Sequence, residues 1–335
     1  MTKRFLQKAK PVLINTAVLC ATGILLIILG EVGLRVLNIQ PMTVKERHIH
    51  QPSEVPGLVY EFIPGIRSKG FGWEHITINS QGFRSQELDP QKPVIAVVGD
   101  SYAFGYGVND NETNPARLQE LLPDYNVLNA GVNGYNIEQE ALQYKARIQQ
   151  LTPVLTIVEF VFNDMDPKGH FDEDGIMRIG TQTQEEEQKM IAESITRKGL
   201  LNFPGKAFLQ NNSAIFNFVE RTTKWLPFRK KIDNTVETLT DDLLAFYETW
   251  FTTLNESILS GEKLFVIWPE NHWHEKSRTF LKELAQKNGF TVLDLYDTFG
   301  NGYKPLIWDF HPNPDSQQKA ADAIFNVIKE KYLLP

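Results

Sequence analysis

After residue 90 the chain alternates apolar runs with amphipathic stretches. Five runs read as strands: "VIAVV" (94–98), "YNVLN" (125–129), "LTIVEFVF" (155–162), "KLFVIW" (263–268) and "FTVLDL" (290–295). They are short and mostly apolar on both faces, as in strands covered from two sides. Helical spacing predicts helices over 113–122, 136–150, 275–288 and 315–331. In the last of these, Asn313 is placed to cap and Pro314 suits the first helical position. Strands alternating with helices require crossover connections, hence an α/β fold with a parallel sheet. The run 165–261 interrupts this rhythm and reads as a mostly helical insertion, with the roles of packed cap, lid or membrane-facing patch open to it.

The longest apolar run stands apart from this pattern. "VLINTAVLCATGILLIILG" (12–30) carries no charge over 19 residues. As a helix it rises about 28 Å, close to the ~30 Å hydrocarbon thickness of a bilayer. The run is longer than a signal-peptide core and continues past its small-residue candidates, so it reads as an uncleaved transmembrane anchor, with Cys20 as one of its apolar residues. Residues 1–11 then form a basic cytoplasmic tail, Lys3, Arg4, Lys8 and Lys10 setting the orientation, and all that follows lies on the outer side. Residues 31–92 read as a linker and approach segment, and 93–335 as the folded domain.

Composition narrows the function. With 42% hydrophobic and 22% charged residues the chain has ordinary globular character. Its formal net charge is −7; the first 40 residues hold five basic side chains against Glu31, leaving −11 for the rest. An acidic globular part argues against nucleic acid as a partner. A single cysteine excludes an intramolecular disulfide and a cysteine-based metal site.

In an open parallel sheet, ligands gather beyond the carboxyl ends of the strands. The turns there are "GDSYAFGYG" (99–107), "NAGVNGYN" (129–136), "FND" (162–164) and "PENHWH" (269–274), with "DFHPN" (309–313) before the last helix. The first lacks the Gly-Lys-Ser/Thr of a phosphate loop, the third glycine of a dinucleotide fingerprint, and the Gly-x-Ser-x-Gly of an α/β-hydrolase elbow. It suits a nucleophile turn better. Ser101 needs a base, which His311 supplies, with Asp309 two residues earlier to orient the ring. Gly134 and Asn163 offer a backbone and a side-chain amide for a developing oxyanion. His272 and His274 sit where substrate could pass.

Other motifs carry less. "HFDEDG" (170–175), aligned as a calcium loop on Gly175, has His170 first and Thr181 twelfth, where acids are required. It reads as a solvated acidic loop. The cluster Trp225, Phe228, Arg229, Lys230 and Lys231 reads as a folded cap surface, with contact to lipid headgroups as the alternative. No third ligand accompanies His272 and His274 for a metal. Sequons at Asn111, Asn211 and Asn255 matter only in a eukaryotic secretory host.

The blocks around Ser101, Gly134, Asn163 and His311, in that order, resemble the SGNH (GDSL-type) hydrolase family over residues 90 to 332, the insertion excepted. "INSQGFRS" (78–85) also resembles membrane-anchored bacterial members. The resemblance implies a flavodoxin-like three-layer α/β/α fold and Ser-His catalysis without a metal or other cofactor. It implies Ser101 as nucleophile and His311 as base, with an oxyanion hole of the Ser101 amide, the Gly134 amide and the Asn163 side chain. Three positions depart from the family pattern. Tyr102, which the position also makes a substrate contact, replaces leucine; Val161 replaces a glycine; and Trp308 stands where the acid is commonly found, so the acid is either Asp309 or absent. The function expected is that of an outward-facing esterase, with O-acetyl groups on envelope or secreted polysaccharide as the substrate that location suggests. An O-acyltransferase or lipid-directed esterase using the same residues, and a non-catalytic anchored scaffold, are the alternatives.

Overall fold

The computed structural model describes residues 2–36, 49–69, 74–165, 170–171, 177–178, 205, 208–209, 212–223, 240–269, 275–306 and 311–332. The apolar amino-terminal run lies within one long helix, α1 (Thr2–Val36). Within Ile14–Val36 an 18-residue window has a mean hydropathy of 2.3, and none of that window is buried inside the protein. By length and composition it can cross a bilayer.

The approach segment is folded rather than extended. It forms two antiparallel hairpins, β1 (His50–Pro52) with β2 (Tyr60–Phe62), and β3 (Arg67–Lys69) with β4 (His75–Thr77). Their apolar residues Ile49, Leu58, Tyr60, Phe62, Ile76 and Ile78 share a small core with Phe104, Val132 and Tyr135 of the main domain. Three-residue strands give little periodicity, which is why the sequence shows only proline and glycine punctuation here.

Five parallel strands then build the main sheet: β5 (Val94–Val98), β6 (Asn126–Asn129), β7 (Leu155–Phe160), β10 (Glu262–Ile267) and β11 (Thr291–Asp294). Between β7 and β10 lies a minimal hairpin, β8 (His170–Phe171) with β9 (Met177–Arg178). In space the order is β11-β10-β7-β5-β6, the flavodoxin-like order whose direction reverses between β5 and β7. The expected strands thus appear within a residue or two of their ends.

Helices cover both faces, and the strand residues divide between them with period two. Val94, Ala96 and Val98 face one layer, with α4 (Ile137–Gln143), α6 (Asp241–Ser257) and α7 (Glu275–Lys287). Ile95 and Val97 face the other, with α3 (Asn114–Leu121), α8 (Leu295–Phe299) and α9 (Pro314–Lys331). The fold is therefore the three-layer α/β/α arrangement that the sequence implies. The helix expected over 136–150 is regular only to Gln143. A wider turn follows over 144–148, carrying Tyr144, whose hydroxyl meets that of Thr156 on β7 at 2.9 Å.

The expected insertion over 165–261 divides in two. Its last helix, α6, buries Tyr247, Phe251 and Leu254 against the sheet and is the crossover between β7 and β10. Two parallel neighbours require such a crossover. The acidic loop around 172–176 and the cluster from Trp225 to Lys231 lie outside the described residues. Between them α5 (Ala214–Thr223) packs on α1 rather than on the sheet.

Candidate active site

Strand β5 ends at Val98, and the chain turns at once into the four-residue helix α2 (Ser101–Phe104). Asp100 caps it, Oδ1 accepting from the Tyr102 amide at 2.9 Å. This places Ser101 at the first helical position, beyond the carboxyl end of the sheet and beside its reversal point. The loop after β6 closes on this turn. The Val132 amide donates to the Gly99 carbonyl at 3.1 Å, and a Cβ on Gly131 would lie 2.3 Å from the Phe104 nitrogen. Only glycine permits that approach. Gly134, two residues past Val132, takes φ 73°, a left-handed conformation that also favours glycine.

His311 arrives from the far end of the sequence. An isolated bridge between Pro305 and Pro312, with the Leu306 amide donating to the His311 carbonyl at 2.8 Å, presents it just before α9. Asn313 caps that helix through the Ser316 amide at 2.9 Å. The imidazole lies against the rings of Tyr102 and Tyr106, at centroid distances of 5.2 and 4.6 Å. Its Nε2 is 2.8 Å from Ser101 Oγ.

Asp100 joins the third residue to this pair. Its Oδ2 accepts from Ser101 Oγ at 2.9 Å and from Asn163 Nδ2 at 2.8 Å. The Ser101 hydroxyl thus has two acceptors within reach, the Asp100 carboxylate and His311 Nε2. With its proton toward His311 the oxygen is prepared to attack. With it toward Asp100 the oxygen can only accept from a protonated Nε2. Asn163 is turned by the same carboxylate toward the serine. The structure therefore brings Ser101, His311 and Asn163 together and places the Gly134 loop beside them. Asp309, His272 and His274 lie outside the described residues. Tyr102 is only 5% exposed, its ring between those of Trp268 and His311, so it meets the histidine and not the solvent.

Beneath the turn runs a buried polar chain that the sequence reading did not single out. The Gln317 side chain on α9 donates to the Tyr102 carbonyl at 3.1 Å and accepts from Asn114 Nδ2 at 3.0 Å. Asn114 Nδ2 also donates to Glu159 Oε2 at 3.2 Å, which receives Trp268 Nε1 at 2.8 Å. The chain ties α9, the helix that follows His311, to the serine-bearing turn and, through Asn114, to Glu159 on the central strand β7. Burial raises the Glu159 carboxyl to about 7, partly offset by the Trp268 and Asn114 hydrogen bonds and reinforced by the Asp100 charge. Glu140 on α4 is raised well above the usual range, first by burial and then by the charges of Asp100 and Glu159.

A pH dependence follows from Glu159. Below pH 4.5, its ordinary value, folded and unfolded chains both hold the proton and there is no penalty. As pH rises from there to about 7, the unfolded chain releases the proton first, so stability is lost across that window. Glu159→Gln abolishes this titration. Its unfolding free energy relative to wild type should rise between pH 4.5 and 7 by up to roughly 3 kcal/mol. Urea denaturation in detergent micelles at several pH values reads the difference, and parallel profiles for the two proteins would refute it.

A second brace comes from the approach segment. The Arg84 guanidinium, buried under the turn, donates to the carbonyls of Phe104, Gly105, His75 and Val108 at 2.8–3.1 Å and pairs with Asp110 Oδ1 at 3.0 Å. Tyr60 Oη donates to the Asn133 carbonyl at 2.8 Å, and Tyr135 Oη donates to the Tyr60 carbonyl. Both walls of the site are thus held from upstream of β5. Arg84 lies within "INSQGFRS", but no periodicity marks it. Among the described residues no group of three His, Cys, Asp or Glu side chains is placed to hold a metal ion.

Fold and turn order bring a serine, an asparagine and a histidine to one edge of the sheet, and comparison with known proteins places the chain among ester hydrolases. Residues 97–319 match the GDSL-like Lipase/Acylhydrolase family, and the chain belongs to it. The chemistry of that family is ester hydrolysis. No curated protein matches the sequence. Among solved structures, TesA is 13% identical, with 70% of this chain and 98% of its own covered and a TM-score of 0.42. A putative lipolytic protein of the G-D-S-L family from Desulfitobacterium hafniense DCB-2 is 11% identical, covering 70% and 99%, with a TM-score of 0.43. A mutant of Axe2, a Geobacillus acetyl-xylooligosaccharide esterase, is 13% identical, covering 74% and 100%, with a TM-score of 0.41.

Proposed function

We propose that this chain is a membrane-anchored serine esterase acting through an acyl-enzyme on Ser101. The observation that carries the reading is the 2.8 Å contact between Ser101 Oγ and His311 Nε2 at the sheet's reversal point. His311 takes the hydroxyl proton as Oγ bonds to the ester carbonyl carbon. The tetrahedral oxyanion is met by the Ser101 amide, the Gly134 amide and the Asn163 side chain, which must turn from Asp100 toward it. Collapse breaks the bond to the alcohol oxygen, and His311 returns the proton to that leaving group. Water, deprotonated by His311, then releases the acid and restores Ser101. Asp309 is assigned the orienting role on the imidazole.

The anchor reading rests on the unburied apolar stretch of α1 and on the four basic residues before it. It puts the catalytic domain on the outer side of the membrane, facing O-acylated, in particular O-acetylated, envelope or secreted polysaccharide. A fluorophosphonate probe tests the chemistry. The intact protein should be labelled and Ser101→Ala should not. An intact protein that stays unlabelled would overturn the serine mechanism.

A further inference from the structure

The outer end of α1 is engaged by a helix that does no work in the sheet. The Glu31 carboxylate receives the amides of Ala214 and Ile215 at 2.9 and 3.1 Å and the Ser213 hydroxyl at 3.0 Å. It thereby satisfies amino-terminal N–H groups of α5 that have no partner within the helix, and its charge suits that end of the helix dipole. Arg35 Nε donates to the same carboxylate at 2.8 Å, and another Arg35 nitrogen donates to the Asn212 carbonyl at 2.8 Å. Gly30 allows the crossing, because a Cβ there would lie 3.1 Å from Ile215 Cδ1.

The depth of this junction follows from helix geometry. Gly30 is 18 residues beyond Val12, where the uncharged run begins. That is about 27 Å along the axis of a span whose hydrocarbon is ~30 Å thick. The junction therefore falls at the outer boundary of the bilayer, where a carboxylate and a guanidinium are tolerated and the hydrocarbon centre is not. On the same element large apolar side chains keep much of their surface exposed. Phe218 is 41% exposed and Val219 46%, and Phe208, just upstream, is 67% exposed. On α1 itself Ile24 to Leu29 and Val32 are exposed as well.

We infer that α5 is a second membrane element, an interfacial helix whose Phe218 and Val219, with Phe208 before it, enter the outer leaflet, locked to the span by the Glu31 cap. The occupant of this face is phospholipid. The inference rests on the anchor reading and gives α5 the task of fixing how the anchored chain sits on the bilayer surface. An amphipathic helix with aromatic residues at the headgroup boundary suits that task.

The test uses the full chain in phosphatidylcholine–phosphatidylglycerol vesicles containing dibrominated lipid. The native Cys20, in the middle of the span, carries an environment-sensitive NBD label in one sample. In a Cys20→Ala background, Phe218→Cys carries it in a second, and Glu120→Cys, on the exposed face of α3, in a third. Brominated lipid should quench the Cys20 and Phe218→Cys labels roughly twofold or more and leave the Glu120→Cys label unchanged. Adding Glu31→Ala should release the label at 218 while Cys20 stays quenched. If the Cys20 label is not quenched, the anchor reading fails and the inference with it. If Cys20 is quenched and 218 is not, the inference alone is overturned. Blue-shifted but unquenched emission at 218 means protein covers the face, which overturns it equally.

Discussion

Alanine at Ser101 should lower kcat/KM for an aryl acetate by roughly 10⁴- to 10⁶-fold, alanine at His311 should cost a similar amount, and the double variant should lose no more than either alone. The 2.8 Å contact makes the two side chains one unit. Without His311, the Ser101 hydroxyl retains only Asp100 as acceptor, and its proton has nowhere useful to go. Without Ser101, the imidazole has no oxygen to activate. Residual turnover should then come from substrate binding and the oxyanion donors. Steady-state kinetics on the three variants checks this, and losses that multiply in the double variant would separate the two residues into independent roles.

The second large effect is expected at Arg84, beneath the nucleophile turn. Arg84→Met removes a buried cation that serves four backbone carbonyls and Asp110. Three of those carbonyls, of Phe104, Gly105 and Val108, follow Ser101 directly along the chain. Breaking a buried pair of this kind costs about 3–5 kcal/mol, because its partners stay behind without compensation. Arg84→Lys should recover only part of it, since an ammonium cannot fork across carbonyls on two sides. Urea denaturation gives the stability loss. The kcat of the surviving folded fraction tells whether the nucleophile turn has also shifted. A loss below about 1 kcal/mol would mean that the carbonyls find other donors.

Much of this architecture was legible in the sequence, for identifiable reasons. The strands of the main sheet are covered on both faces, so their apolar runs are continuous and their ends sharp. Ser101, Gly134, Asn163 and His311 stand immediately after strands or before a helix, where the turn composition is distinctive. The bracing residues left no such mark. Arg84, Asn114, Glu159 and Gln317 are polar side chains inside the protein, meaningful only once four distant segments meet. The hairpins of the approach segment are too short for periodicity, and α6 looked like part of an insertion because its apolar face is as wide as a cap helix needs. Asp100 was within reach, since a capping acid before a strand-end helix is a local signal, but its grip on Asn163 is not.

One consequence concerns timing. Ser101 and the imidazole that activates it are 210 residues apart in the chain. While the protein is being made, the hydroxyl is synthesised long before its base. Only when residues beyond His311 have formed α9 does the pair close. A chain halted short of that point carries Ser101 without the imidazole that lies 2.8 Å from it in the fold. The order of residues along the polymer thus leaves the nucleophile turn without its base until residue 311 and the helix after it have been made.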